Sequence, residues 1–241
     1  MERVHIVSPF LFLPMKSIDE KVLEAFYEII SESKQEMYDR IAADRTRYIT
    51  VAMENVQKTH NASAVIRSCD CFGVQDLHLI EPNNKYEAQR DISRGATKWI
   101  DVHTYDDSSD AAQRCVKKLS EDGYKLVATS PYAEKTIFDI SLDRPIALLF
   151  GTERYGISED VMNEADEHVK IPMYGFTESF NVSVSVAIML NTMRQRLERS
   201  SLNWKLSEEE QRSLKIDWCT KIVNEGVRVE SEIRKRILEK E

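Results

Sequence analysis

An α/β protein built on a mainly parallel sheet, with helices on both faces, is what this chain predicts. Three observations carry that reading. Strand-like and helix-like segments alternate from Tyr48 to Leu197. Pro145–Phe150 is a near-continuous apolar run, the pattern of a parallel strand buried on both faces. Ile171–Leu190 passes from a strand end through a polar loop into an apolar helix, which is how a rigid element carries a binding loop.

Ser17–Ile41 reads as one helix. Ser17 and Glu20 have capping-box spacing, and Val22, Leu23, Phe26, Ile29 and Ile30 recur at helical intervals. Beyond it stand Arg40, Arg45 and Arg47. They are either a solvated helix end, where cations are favoured, or a phosphate-facing cluster. Tyr48–Met53 is a β-branched strand, followed by the loop Glu54–His60. A helix then spans Asn61–Phe72, with Gly73 just past its end. Its apolar stripe is Ala62, Val65, Ile66 and Cys69, and Arg67 and Asp70 lie off that stripe.

Leu77–Ile80 and Trp99–His103 are the next strands, separated by a polar stretch read as loop. Asp106–Leu119 is an amphipathic helix on Ala111, Ala112, Cys115, Val116 and Leu119. Lys125–Ser130 is a strand stopped by Pro131, and Glu159–Ala165 is a short helix. A strand to Ile171 precedes a helix from Ser179, its expected N-cap, to about Leu197. From Asn203 the chain is helical and charged, with one stripe on Leu214, Trp218, Ile222 and Val223. A second stripe after Gly226 holds Val227, Ile233, Ile237 and Leu238. The expected organisation is an N-terminal helical extension over 1–47, a main domain over 48–200 and a C-terminal helical extension over 201–241.

Composition narrows the function. The chain has 241 residues, 42% hydrophobic and 31% charged, as a globular protein requires. No apolar run is long enough to span a bilayer, so no membrane partner is expected. The patch Phe10–Leu13 is broken by Pro9 and Pro14, which argues against a signal peptide; Met15 is an alternative start. Cys69, Cys71, Cys115 and Cys219 fit neither a zinc ribbon nor a CxxC pair, so free thiols in a reducing cytoplasm are expected. His60, His78, His103 and His168 lack metal spacing, and no metal is expected. The first strand–helix junction contains no glycine, which excludes a dinucleotide fingerprint, and neither a phosphate-binding P-loop nor GxSxG is present. A net charge of −8 excludes a uniformly basic nucleic-acid face, so any RNA binding needs local clusters of positive charge.

Three stretches hold the polar groups that remain: Glu54–Asp70 (ENVQKTHNASAVIRSCD), Ala147–Ser158 (ALLFGTERYGIS) and Ile171–Leu190 (IPMYGFTESFNVSVSVAIML). In that order they resemble the three motifs of the SpoU-type RNA 2′-O-ribose methyltransferases. The layout is most similar to the members that act on guanosine 18 of tRNA. The resemblance covers Tyr48 to Leu197.

The resemblance implies transfer of methyl from S-adenosylmethionine to a ribose 2′-oxygen of tRNA, at guanosine 18 of the D-loop. The alternatives are a ribosomal-RNA ribose or a catalytically silent RNA-binding homologue. The N-terminal extension is too small for the extra domain that ribosomal-RNA members often carry. The resemblance also implies a C-terminal trefoil knot, an α/β-knot, and a homodimer. By residue it implies cofactor contacts at Thr129, Gly151, Ile171 and Phe180, and functional roles for Asn61, Arg67, Glu153, Ser179 and Asn181. Family proposals make the arginine at Arg67 the base. A guanidinium is a poor base, so a phosphate clamp that also steadies the developing alkoxide is the better chemistry. Glu178 and Phe180 depart from the glutamine and leucine common in the family. RNA contacts are expected at Arg40, Arg45, Arg47 and Lys58 on one side, and at Arg194, Arg196 and Arg199 on the other.

Overall fold

A computed structural model describes residues 16–55, 59–81, 95–106, 110–152 and 155–239. The alternative start at Met15, Lys58 and Glu153 lie outside these residues. Contacts divide the chain into Met37–Gln211 and a second unit that combines Met1–Glu36 with Arg212–Glu241. Residues 37–47 and 201–211 of the expected extensions fall in the larger unit, and the rest of both in the smaller one.

The larger unit holds seven strands: β1 Ile49–Glu54, β2 Asp76–Ile80, β3 Asp101–Tyr105, β4 Lys125–Thr129, β5 Lys135–Thr136, β6 Ile146–Phe150 and β7 Glu167–Lys170. They form one sheet in the order β3-β2-β1-β6-β4-β7-β5, and every pairing is parallel. The helices α3 (Thr59–Cys71), α4 (Ala111–Glu121), α5 (Glu159–Glu164) and α6 (Val182–Glu198) cover both faces. Period-two alternation sorts the strands between two cores. Ile146, Leu148 and Phe150 pack with residues of α3 and α6, while Ala147 and Leu149 pack with α4 and α5. The whole of β6 is buried, as the apolar run requires.

Local chemistry explains several boundaries. Gly73 has φ +73°, and the amides of Gly73 and Val74 donate to Asp70 and Cys69, closing α3 with a Schellman motif. The expected helix Ser17–Ile41 is instead α1 (Ile18–Tyr27) and α2 (Glu32–Ala42). The Gln35 side chain donates to the carbonyls of Tyr27 and Ile30, meeting acceptors that the break leaves outside a helix. The third strand begins two residues later than expected, after a 3₁₀ turn at Ala96–Lys98. The two-residue β5 has no sequence signal. In the smaller unit, α1 packs with α8 (Gly226–Leu238), and Arg234 donates to Asp19 at 2.7 Å. Arg212, in α7 (Glu208–Ile222), donates to Glu20 at 2.8 Å. Buried Val22, Phe26 and Trp218 form part of its interior. Among the described residues no helix is long and apolar enough to cross a membrane. Cys69 and Cys115 are free, with burial pushing both thiols up to about 12.

At the edge formed by the strand starts, Asp76 and Asp101 are register partners, two like charges side by side. Arg47 bridges them, bonding Asp76 and, at 2.8 Å, Asp101. Burial pushes the Asp76 carboxyl up, but the His103 hydrogen bond and the Arg47 charge outweigh it, so it titrates below its ordinary range. His78 stacks on His103 at 4.6 Å and meets the Tyr105 hydroxyl at 3.1 Å. Burial, with the His103 charge, pushes the His78 imidazole down to about 4.

An unfolded histidine takes its proton near 6.5. Between that pH and about 4, the unfolded chain binds a proton at His78 that the folded protein refuses. Stability should therefore fall as pH drops through this window, by about 3 kcal/mol. Urea melts at pH 7 and pH 4.5 should show the loss, and His78→Asn should remove most of that slope.

Candidate active site

Because all strands are parallel, their C-terminal ends share one edge of the sheet. The neighbouring strands β6, β4 and β7 each release a loop there. These loops and the start of α6 enclose a cavity of about 420 Å³. Its walls include Thr129–Tyr132 after β4, Phe150–Thr152 and Tyr155–Ile157 after β6, and Lys170, Ile171 and Met173 after β7. Glu178, Ser179, Phe180, Val182, Ser185 and Met189 complete the loop and helix side. A concave site outside the carboxyl ends of a parallel sheet is where such folds bind small ligands.

The floor is stitched by short-range bonds. Thr129 Oγ1 donates to the Leu149 carbonyl at 2.9 Å, and the Ser130 amide donates to Val169 at 3.0 Å. Thr152 and Gly156 exchange two backbone bonds of 2.9 Å, closing a tight loop on which Gly156 has φ +70°. Gly151 lies against that closure: a Cβ there would stand 2.0 Å from the backbone carbon and oxygen of Gly156. The buried Glu54, at the end of β1, accepts from the Ser158 amide at 2.8 Å and holds the far side of the loop.

All four expected cofactor contacts, Thr129, Gly151, Ile171 and Phe180, line the cavity. Ser179 also lines it, but it is not the helix cap. Asn181 takes that role, accepting from the Ser183 amide at 2.9 Å. Its Nδ2 donates to Oδ1 of the buried Asn61 at 3.1 Å, so α3 and the entrance of α6 are tied together. Arg67 is exposed on α3 and is not part of the cavity wall.

The arginines divide differently from the expectation. Arg45 is 2% exposed and paired with Asp70. Arg47 lies at the strand starts, the edge opposite the cavity, where Asp76 and Asp101 hold it. Arg194 donates to the carbonyls of Asp44 and Phe72, pairs with Glu198 and lies 4.3 Å over the Trp204 ring. Arg196 donates to the carbonyls of Ile137 and Ile140. These four are engaged by groups of the chain itself. Arg40 and Arg199 are exposed.

Other wall residues escaped the sequence reading. Met162 comes from α5 and Met189 from α6, and periodicity marks both only as core. Ser185 and Lys170 had no spacing signal. Glu54, which holds the β6 loop from outside the wall, had one, since it opens the first of the three motif stretches.

A model of the family described as SpoU rRNA Methylase matches residues 48–191. A tRNA (guanosine(18)-2′-O)-methyltransferase of Borreliella burgdorferi is 34% identical over 210 residues, 86% of this chain and 94% of the relative. The enzyme of the same name from Thermus thermophilus is 32% identical over 194 residues, 79% of this chain and 98% of its own. A crystal structure of the A. aeolicus TrmH/SpoU tRNA modifying enzyme superposes with a TM-score of 0.69 at 28% identity, covering 80% of this chain and 98% of that one.

Two glycines test the packing of the cavity loops. Gly151→Ala forces a methyl into backbone and should cost about 1–3 kcal/mol, a fall of several degrees in Tm. Gly175→Ala, where a Cβ meets nothing within 4 Å, should leave Tm unchanged. Thermal denaturation of the two variants side by side reads the difference.

Proposed function

The chain belongs to the SpoU methylase family, and from that premise we propose that it methylates the ribose 2′-oxygen of guanosine 18 in tRNA, using S-adenosylmethionine. The observation that carries this reading is the cavity, whose walls contain all four cofactor positions and Ser179. Its volume is that of a small-molecule site. S-adenosylmethionine, when bound, supplies a methyl group made electrophilic by its sulfonium.

The chain's own residues would then do four things. The loops after β6, β4 and β7 hold the cofactor, largely through backbone groups. Apolar Ile171, Val169 and Met189 line its chamber and exclude water. The Asn61–Asn181 bond fixes the entrance of α6, so that Ser179 stands at a defined place on the wall. Arg67, exposed and outside the wall, holds beside the ribose an RNA phosphate that takes the 2′-hydroxyl proton, and steadies the developing alkoxide. Glu153 is assigned to fixing either the loop that carries it or Arg67. Arg40, Lys58 and Arg199 remain the proposed phosphate contacts, since Arg45, Arg47, Arg194 and Arg196 are engaged within the fold.

The same reading includes a C-terminal trefoil knot and a homodimer in the cytoplasm. The exposed Val184, with Val182 and Ile188 only partly buried on α6, supports pairing through that helix. Light scattering at micromolar concentration should give twice the chain mass.

Arg67→Ala should lower single-turnover methyl transfer to tRNA by about 10²–10³-fold or more. The fold and S-adenosylmethionine affinity should stay intact, because Arg67 is exposed and not on the cavity wall. Arg67→Lys should retain measurable activity, as a point charge partly replaces the guanidinium fork. Wild-type rates in Arg67→Ala would remove the assignment, and parallel loss of cofactor binding would make Arg67 structural. Mapping 2′-O-methyls in RNA from a deletion strain identifies the nucleotide and separates tRNA from ribosomal RNA.

A further inference from the structure

The three cavity loops carry more than their wall contacts. Tyr132, on the loop after β4, is 84% exposed, and Tyr155, on the loop after β6, is 71% exposed. Tyr174 is 97% exposed and Phe176 is fully exposed, both on the loop whose Met173 and Glu178 line the cavity. Soluble proteins seldom gather exposed aromatic rings at one place without a partner for them. These rings come from three separate loops that the parallel sheet delivers to one edge.

The reaction proposed above narrows the partner. A ribose can enter the cavity mouth only if its nucleotide leaves the regular stack, and its neighbours then lose stacking partners. Unpaired bases recover that contact on aromatic side chains, in a way that tolerates any base. Charge points the same way. The chain is net −8, and four of the arginines that might have held phosphates are committed to internal carboxylates and carbonyls. An RNA site in such a protein needs affinity beyond that of its phosphate contacts.

Resting on the RNA methyltransferase reading, we infer that Tyr174 and Phe176, together with Tyr132 and Tyr155, form a stacking surface for the unpaired nucleobases that flank the methylated ribose. Tyr174 and Phe176 carry the test, because neither lines the cofactor cavity and both are exposed, so their removal opens no core void.

The probe is a tRNA transcript with 2-aminopurine beside the proposed guanosine, titrated with the full-length protein. Stacking on a ring quenches this base. The double variant Tyr174→Ala/Phe176→Ala should weaken RNA binding about tenfold or more for each stacked base lost, and should reduce the quench. The slope of log K against log salt should not change, because the rings neutralise no phosphate. S-adenosylmethionine affinity and oligomeric mass should also hold, and Phe176→Trp should bind like the wild type. Unaltered RNA binding in the double variant would overturn the inference. So would a proportionate loss of cofactor affinity, meaning the rings close over the cofactor, or a halved mass, meaning they cover a second copy. A wild type that binds this RNA but transfers no methyl defeats the methyltransferase reading alone, since the stacking result is read from binding.

Discussion

Parallel pairing is the constraint from which the site follows. Parallel strands cannot be joined by tight hairpins, so the helical connections cross a face of the sheet and return to the starting edge, while the short β4–β5 link sets Lys135 and Thr136 beside the end of β7. All the strand ends then lie together. Here the last strands to be laid down do not simply extend the sheet: β6 enters between β1 and β4, and β7 enters between β4 and β5. Insertion between existing neighbours buries β6 on both faces and both edges, which is why Ile146–Phe150 carries no polar side chain. It also puts the Gly151 loop beside the loops after β4 and β7. The cavity is the consequence of that strand order, and the two glycines of the β6 loop let the chain turn sharply enough to leave it open.

The opposite edge shows what parallel register costs. It places Asp76 beside Asp101, and the sheet tolerates the pair because Arg47 spans both carboxylates and His103 bonds Asp76 at 2.8 Å. The other engaged arginines do similar work where the backbone leaves helix or strand. Arg194 meets carbonyls at Asp44 and Phe72, around the turn where Gly73 passes too close to Asp44 to carry a side chain. Arg196 meets carbonyls at Ile137 and Ile140. Backbone acceptors in partly buried turns need donors, and a guanidinium supplies several from one side chain.

This division explains what the sequence could and could not disclose. Alternation, the apolar run and the Gly73 stop are local patterns, and the strands and helices they predict are present. The cavity loops after β6 and β7 were legible because two of the three motifs mark them, and the loop after β4 entered only through Thr129, which the resemblance supplied. Arginine partners are not local: Arg194 and Asp44 are 150 residues apart in the chain, and nothing near either one announces the other. An arginine at a helix end reads the same whether it faces phosphate or a distant carbonyl. The cap of α6 failed for a subtler reason. Ser179 and Asn181 are both competent caps, and the loop runs two residues further before Asn181, held by Asn61, begins the helix. Only the tertiary bond distinguishes them.

Those committed arginines also change how recognition of RNA has to work. A protein with free basic clusters gathers nucleic acid from a distance and pays in specificity, because phosphate contacts carry no sequence information. This chain is net negative, and Arg45, Arg47 and Arg194 are paired with its own carboxylates. Long-range attraction is weak, and what remains acts at contact distance: a shaped cavity, a few exposed cations such as Arg40, Arg67 and Arg199, and aromatic rings on the loops around the mouth. Contact-range forces reward an RNA only when its shape already presents an accessible ribose with unstacked neighbours. Discrimination therefore falls on the fold of the RNA loop more than on its charge, which suits a site that modifies one ribose among many chemically identical ones.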